Sequence, residues 1–374
     1  MSLTPNQLEG LTDEVVGLYM AIENELLINM ATVLNQDRPL ILVADDGTEY
    51  EQWRIRQLNK IGGLTEENIK IIASHSKYAP KEVETMLKEA GSIAIDQIEP
   101  TLAEALQLGL LTANPQPVNK SPQLLAILQQ YQRQAISNLN LVNTTMLSQA
   151  NQMYLDIINT TTAKVLTGVI TPAQALTQAV KEWTTPGIPS FIAKNGAKWS
   201  TEAYVNMITR TVSNNTANNM QFERMNEYNS DLIEISSHLG ARPLCSPFQG
   251  KIFSRNGIDR KFPAFNTTSY GQPAGILGIN CRHQIYPYIQ GLNTKRNEPY
   301  PKKENEKAYK EEQQQRKLER NIRHAKRQVE VMSALGDEKA TAEAKTLLSN
   351  RQAQMRAFIK ATGRKRYPYK EAIK

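Results

Sequence analysis

The chain has 374 residues, enough for two or three cores, and its 40% hydrophobic and 22% charged content is ordinary for a globular protein. It holds no run of about 18 apolar residues, which excludes a helical membrane span, and its polar, acidic start lacks the basic and apolar regions of a secretory signal. The net charge of +7 is uneven: residues 295–374 carry 22 Lys and Arg against 11 Asp and Glu, which leaves the remainder at −4, and such asymmetry points either to an anionic partner or to a solvated helical face.

From the N-terminus, Thr4-Pro5-Asn6-Gln7 is a capping box. Leu8, Leu11, Val15, Leu18, Ile22, Leu26, Met30 and Val33 then recur at helical steps. Leu40–Val43 reads as a short strand ending in an Asp46-Gly47 turn, or as a connector. Further helices are expected over 51–61, 65–74 with Thr65 as cap, 80–87, and 91–108. Residues 111–123, with three prolines, form the clearest linker. The helical step resumes over 122–183, with a second capping box at Thr171-Pro172-Ala173-Gln174, and again over 200–228. Between 230 and 290 the texture changes to short β-prone runs (232–235, 251–253) among Gly, Pro, Asn and aromatics. The basic tail then shows two apolar stripes, Leu318–Met332 and Leu347–Ile359, with Gly336 and Gly363 at C-cap positions, the mark of an antiparallel helical hairpin. The expected fold is mainly α: an N-terminal helical domain (1–112), a central helical region (122–229), a small loop-rich α+β module (230–294) and basic C-terminal helices (295–374).

The common enzymatic signatures are missing: no phosphate loop, dinucleotide loop, nucleophile elbow or HExxH. One constellation stands out. His238, Cys245, Cys281 and His283 gather two of the four histidines and both cysteines within 46 residues of loop-rich sequence. Four thiolate and imidazole donors suit a tetrahedral structural zinc, which would fasten a module with little apolar core. Two other readings stay open: cysteines as small buried hydrophobes beside backbone-bonded histidines, and a disulfide. A catalytic variant sets His238, Arg242, Arg282 and His283 around a phosphate in a solvent-lined cleft. The second candidate is a nucleic-acid surface. Arg316, Arg320, Arg323 and Arg327 fall at helical steps opposite the Leu318–Ile322 stripe, and Arg364, Lys365 and Arg366 add a dense patch. Arg210, on the helix before the module, is expected to form an interdomain salt bridge.

The segments ISSHLGARPLCSPFQGKIFS (235–254) and GILGINCRHQIYPYIQG (275–291), with the preceding MITRTVSNNTANN and the following QQQRKLERNIRHAKRQ, resemble the phage minor capsid protein family, related to the phage Mu F-like head morphogenesis proteins. The resemblance covers about residues 200–330. It implies a non-enzymatic virion component, made in the bacterial host cytoplasm and present in few copies at the portal vertex. It further implies a role in head morphogenesis and DNA ejection, with portal and other head proteins as partners, packaged DNA as a further one, and no membrane. Members of that family often carry His at the position of Cys245, an exchange that a zinc ligand tolerates. Partner binding would leave the Leu8–Val33 stripe exposed in the isolated chain.

Overall fold

In a computed structural model, which describes residues 5–42, 48–113 and 115–373, helices dominate. They are α1 (Pro5–Gln36), α2 (Arg38–Leu42), α3 (Thr48–Asn59), α4 (Ile61–Ser76), α5 (Ala79–Gln107), α6 (Pro122–Leu166), α7 (Pro172–Thr184), α8 (Thr201–Glu227), α9 (Lys302–Ala334) and α10 (Glu338–Thr362). Five short strands accompany them: β1 (Pro189–Ile192), β2 (Lys198–Ser200), β3 (Leu232–Ile235), β4 (Ile252–Ser254) and β5 (Ile285–Pro287). The mainly α class is as expected from sequence.

The chain divides into two units, each assembled from three separate stretches. Unit 1 comprises residues 1–16, 79–138 and 206–312; unit 2 comprises 17–78, 139–205 and 313–374. The four consecutive regions drawn from the sequence and these two discontinuous units are different divisions of the chain.

In unit 1, β3 is the central strand of an antiparallel sheet ordered β4-β3-β5, with Ile233 opposite Phe253 on one side and Pro287 on the other. Its core joins Ile233, Ile235, Phe253, Phe265, Ile276, Leu277, Ile285 and Ile289 to Ile95, Ile98, Leu102 and Ala105 of α5, Leu124 of α6, and Met225 and Tyr228 of the α8 end. Each fully buried side chain of this kind is worth about 1.5–3 kcal/mol. The expectation that the 230–290 module has little apolar core is therefore corrected: its own apolar side chains make up much of this cluster, and α5, α6 and α8 complete it. Around this core, Arg224 of α8 donates to both Glu99 oxygens of α5 (2.6 and 2.5 Å) and to the Gln116 carbonyl of the linker (2.7 Å), so it ties three segments together.

Helix α5 replaces the two helices expected over 80–87 and 91–108. Gly91 lies inside it, where α8 crosses so close that a Cβ would lie 2.4 Å from the Met220 sulfur. Tertiary packing here overrides a weak local preference. Arg210 pairs with Glu9 at 2.8 Å, both within unit 1, so its acid partner is internal to one unit.

In unit 2, Thr171 caps α7 as expected: its hydroxyl accepts from Gln174 N and the Gln174 side chain accepts from Thr171 N, both at 3.2 Å. Thr4 lies outside the described residues. So do Val43 and the Asp46-Gly47 turn, while Leu40 to Leu42, expected as strand or connector, are helical in α2. Thr65 is interior to α4 and donates to the Ile61 carbonyl rather than capping the helix. The tail forms the expected hairpin: Leu318 and Ile322 of α9 pack on Met355, Leu348, Phe358 and Ile359 of α10. Gly336 and Gly363 take the left-handed conformation, with φ of 70° and 68°. The antiparallel hairpin β1–β2 turns at Asn195-Gly196, with Gly196 at φ 82°.

The apolar face of α1 is buried rather than exposed. Leu8 packs on Ala94 and Ala217, and Val15, Ile22, Leu26 and Met30 are almost wholly covered by the chain itself. That corrects the expectation of a stripe awaiting partners.

Candidate metal centre

Cys245 enters a short 3-10 turn (Ser246–Phe248), and Cys281 and His283 lie just before β5. The loop that delivers Cys281 is tight. A Cβ on Gly275 would stand 1.8 Å from the Ser269 carbonyl oxygen, and one on Gly278 would stand 2.6 Å from that of Pro273. Leu277 and Asn280 take positive φ (58° and 56°), an unusual state for side-chain-bearing residues. In that conformation the Leu277 N–H donates to the Cys281 sulfur at 3.1 Å.

The donor atoms of Cys245, Cys281 and His283 all lie within 4.8 Å of one another, and all three residues are buried. Both cysteines are free. His238 stands beside this trio, its ring centroid 4.4 Å from that of His283 and its Nε2 buried without a hydrogen-bond partner. The four residues singled out in the sequence are thus brought together, three closely and the fourth adjacent.

Gln249 orders the imidazoles. Its Oε1 accepts from the His238 backbone N–H at 2.7 Å, which identifies that atom as the oxygen, and the same oxygen faces His283 Nε2 at 3.3 Å. His283 Nε2 must then carry a proton, and Nδ1 faces the Cys281 sulfur at 3.3 Å. Burial and the neighbouring His283 push the His238 pKa down to about 3, so this ring is neutral. For Cys281, burial raises the pKa, but hydrogen bonds from the Cys245 thiol and His283 more than reverse that, and the thiol falls well below its ordinary range. Cys245 moves the other way: its hydrogen bond to Cys281, and then burial, keep it protonated.

The phosphate-cleft arrangement is not formed. Arg242 donates to the Ile279 and Gly275 carbonyls, Arg282 pairs with Glu312 at 2.8 Å, and His283 is 1% exposed. The Cys281–His283 pair is itself buried, each residue 1% exposed. Gln249 and Leu277 were not visible as site residues in the sequence, because no spacing rule links them to the Cys/His set, and Arg242, singled out for a phosphate, instead binds carbonyls and faces the Cys245 sulfur.

The basic surface needs correction. Arg323 and Arg327 do not share an exposed face. Arg327 is buried against Glu23 (2.6 Å), and Arg323 is buried against Glu202. A guanidinium already paired in the interior cannot reach a phosphate. Arg366 is paired with Glu371 (2.5 Å), and Arg364 donates to Gln315 at 2.8 Å. Arg316 is half-buried, which leaves Arg320 and Lys365 as the fully exposed members of the seven.

The chain is matched over residues 3–360 by the family model described as phage minor capsid protein 2, and it belongs to that family. It is also similar to a structural protein of Lactococcus phage LL-H, 30% identical over 357 residues that cover 91% of this chain and 94% of the relative. A structural protein of Lactococcus phage mv4 is 31% identical over 99 residues, covering 26% of this chain and 80% of that one. No solved structure matches the chain. Among the described residues, no helix is long and apolar enough to cross a membrane.

Proposed function

We propose that the protein is a structural component of the phage virion, made in the host cytoplasm and seated at the portal vertex. There it holds portal and other head proteins together during head morphogenesis and remains in place for DNA ejection. The observation that carries this reading is the near full-length match to a minor capsid family, joined to a relative named as a structural protein over almost its whole length. A protein present in few copies fits a vertex that occurs once per head. The burial of the α1 face means that partner contact is made by surfaces other than that stripe.

The test is protein composition of purified particles. Full-length chain is expected in virions and in portal-containing heads, and it should be lost from heads assembled without portal protein. Its absence from virions would remove the structural reading; its retention in portal-free heads would remove the vertex.

A further inference from the structure

We propose that Cys245, Cys281, His283 and His238 bind one structural Zn2+ per chain. The inference is independent of where the protein sits in the particle.

Three observations separate a metal site from a pair of cysteines that only fill space. First, polar donors converge inside an apolar core. Cys245 and Cys281 belong to the same buried cluster as Phe253, Phe265 and Ile285, where an unsatisfied polar group costs free energy. Beside it, the half-buried His238 keeps a covered Nε2 without a hydrogen-bond partner, its ring 4.4 Å from that of His283. Second, His283 is oriented as a ligand would be. Its Nε2 faces the Gln249 oxygen at 3.3 Å, and its Nδ1 faces the Cys281 sulfur at 3.3 Å, the position of a ligating nitrogen. A ligating imidazole is oriented in this way, through its far nitrogen. Third, the backbone aims N–H groups at sulfur. Leu277 N (3.1 Å) and His283 N (3.5 Å) both point at Cys281 Sγ, the former from a left-handed conformation that costs on the order of 1–3 kcal/mol.

Charge balance favours a dication. Two thiolates side by side in this core repel, whereas Zn2+ with two thiolates and two neutral imidazoles is neutral overall. Binding expels water from the hydrated ion, releases to solvent whatever protons the two thiols still hold, and forms two Zn–S and two Zn–N bonds, with no oxidation. Sulfur with imidazole selects zinc over magnesium or calcium, and four protein donors leave no open position, as in structural rather than catalytic sites.

The test uses full-length protein purified from zinc-containing medium. Elemental analysis is expected to give about one zinc per chain. Replacement by Co2+ after chelation should give the visible bands and thiolate charge-transfer absorption of a tetrahedral site. Both thiols should react with a disulfide reagent only once the chelator is added. His283→Ala should lose the metal. Gln249→Ala, which removes the oxygen that orients His283, should weaken retention about 10–100-fold. His238→Ala should also release metal more readily, and unchanged retention would remove His238 from the set. Cys281→Ser also removes a buried core side chain, so the thiol titration on the unaltered chain carries the decision. Zinc-free protein that takes up no Co2+, or an intact mass lighter by two hydrogens as in a disulfide, would overturn the site.

Discussion

Glu23 sits 1% exposed with one oxygen on the Ile188 N–H (2.8 Å) and the other on Arg327 (2.6 Å). Gly187 presses against it so closely, at φ 81°, that a Cβ there would come within 2.2 Å of the carboxylate. Burial raises the Glu23 pKa, and Arg327 opposes the shift. Removing one partner from such a pair leaves an uncompensated charge. Arg327→Leu is therefore expected to destabilise the chain by about 3–5 kcal/mol in denaturant unfolding, and the double variant Glu23→Leu/Arg327→Leu should recover most of that loss. A single variant as stable as the unaltered chain would show that the pair contributes nothing. The same contact explains why the basic stripe was misread. Helical spacing placed Arg323 and Arg327 on one face, but nothing local reveals that their acids, Glu202 and Glu23, stand 121 and 304 residues away. The Cys/His set was legible because thiols and imidazoles are scarce and were close in sequence. Gln249, which orients them, is an ordinary residue until the fold places it.

At the level of single elements, the start of α10 is held by Asp337. Its carboxylate accepts from Ala340 N (2.9 Å) and Thr177 (2.6 Å) and pairs with Arg38 at 2.9 Å. Burial raises its pKa, but the Thr177 and Ala340 hydrogen bonds, with Arg38 and Lys181, outweigh it and hold the group below the ordinary carboxylate range. Asp337→Ala should cost about 0.5–2 kcal/mol at neutral pH. A depressed folded-state pKa stabilises fully above the unfolded value, about 3.9. That contribution is lost as pH falls through the lower folded value. The stability gap between Asp337→Ala and the unaltered chain is therefore expected to hold from neutral pH down to about 4 and to shrink below it. A gap that widens on acidification would contradict the assignment. The Thr171 cap and the C-terminal glycines were readable because they act within four residues, whereas Thr65 lies inside α4 instead of capping it. The merger of two expected helices into α5 was not, because the glycine at 91 serves the close approach of another helix, which no local pattern reveals. The β1–β2 hairpin carried a readable Asn195-Gly196 signal, masked by strands of only four and three residues.

For the molecule as a whole, mainly α class and family were legible, while the pairing of stretches into units depends on contacts that no periodicity encodes. Unit 2 takes its last stretch from residues 313–374. That stretch brings the buried Ile322, Val331, Met332 and Leu335 and the partners of Glu23 and Glu202. A chain ending after Pro301 is expected to be insoluble or to lose cooperative unfolding, read by circular dichroism and size-exclusion chromatography. A soluble, cooperatively unfolding fragment would contradict this. Truncation is accordingly no way to ask about DNA contact, which is better probed at exposed Arg320 and Lys365.

The alternation of the two units along the chain also sets an order of events during synthesis. At roughly 5–20 residues per second, the ribosome delivers the first stretch of unit 2 many seconds before the stretch that completes it. Until release, the nascent protein carries unfinished apolar faces and an unpaired internal acid at Glu23. A copy that stops short of residue 313 keeps those faces open, and it is expected to be degraded faster than one that contains residues 313–374.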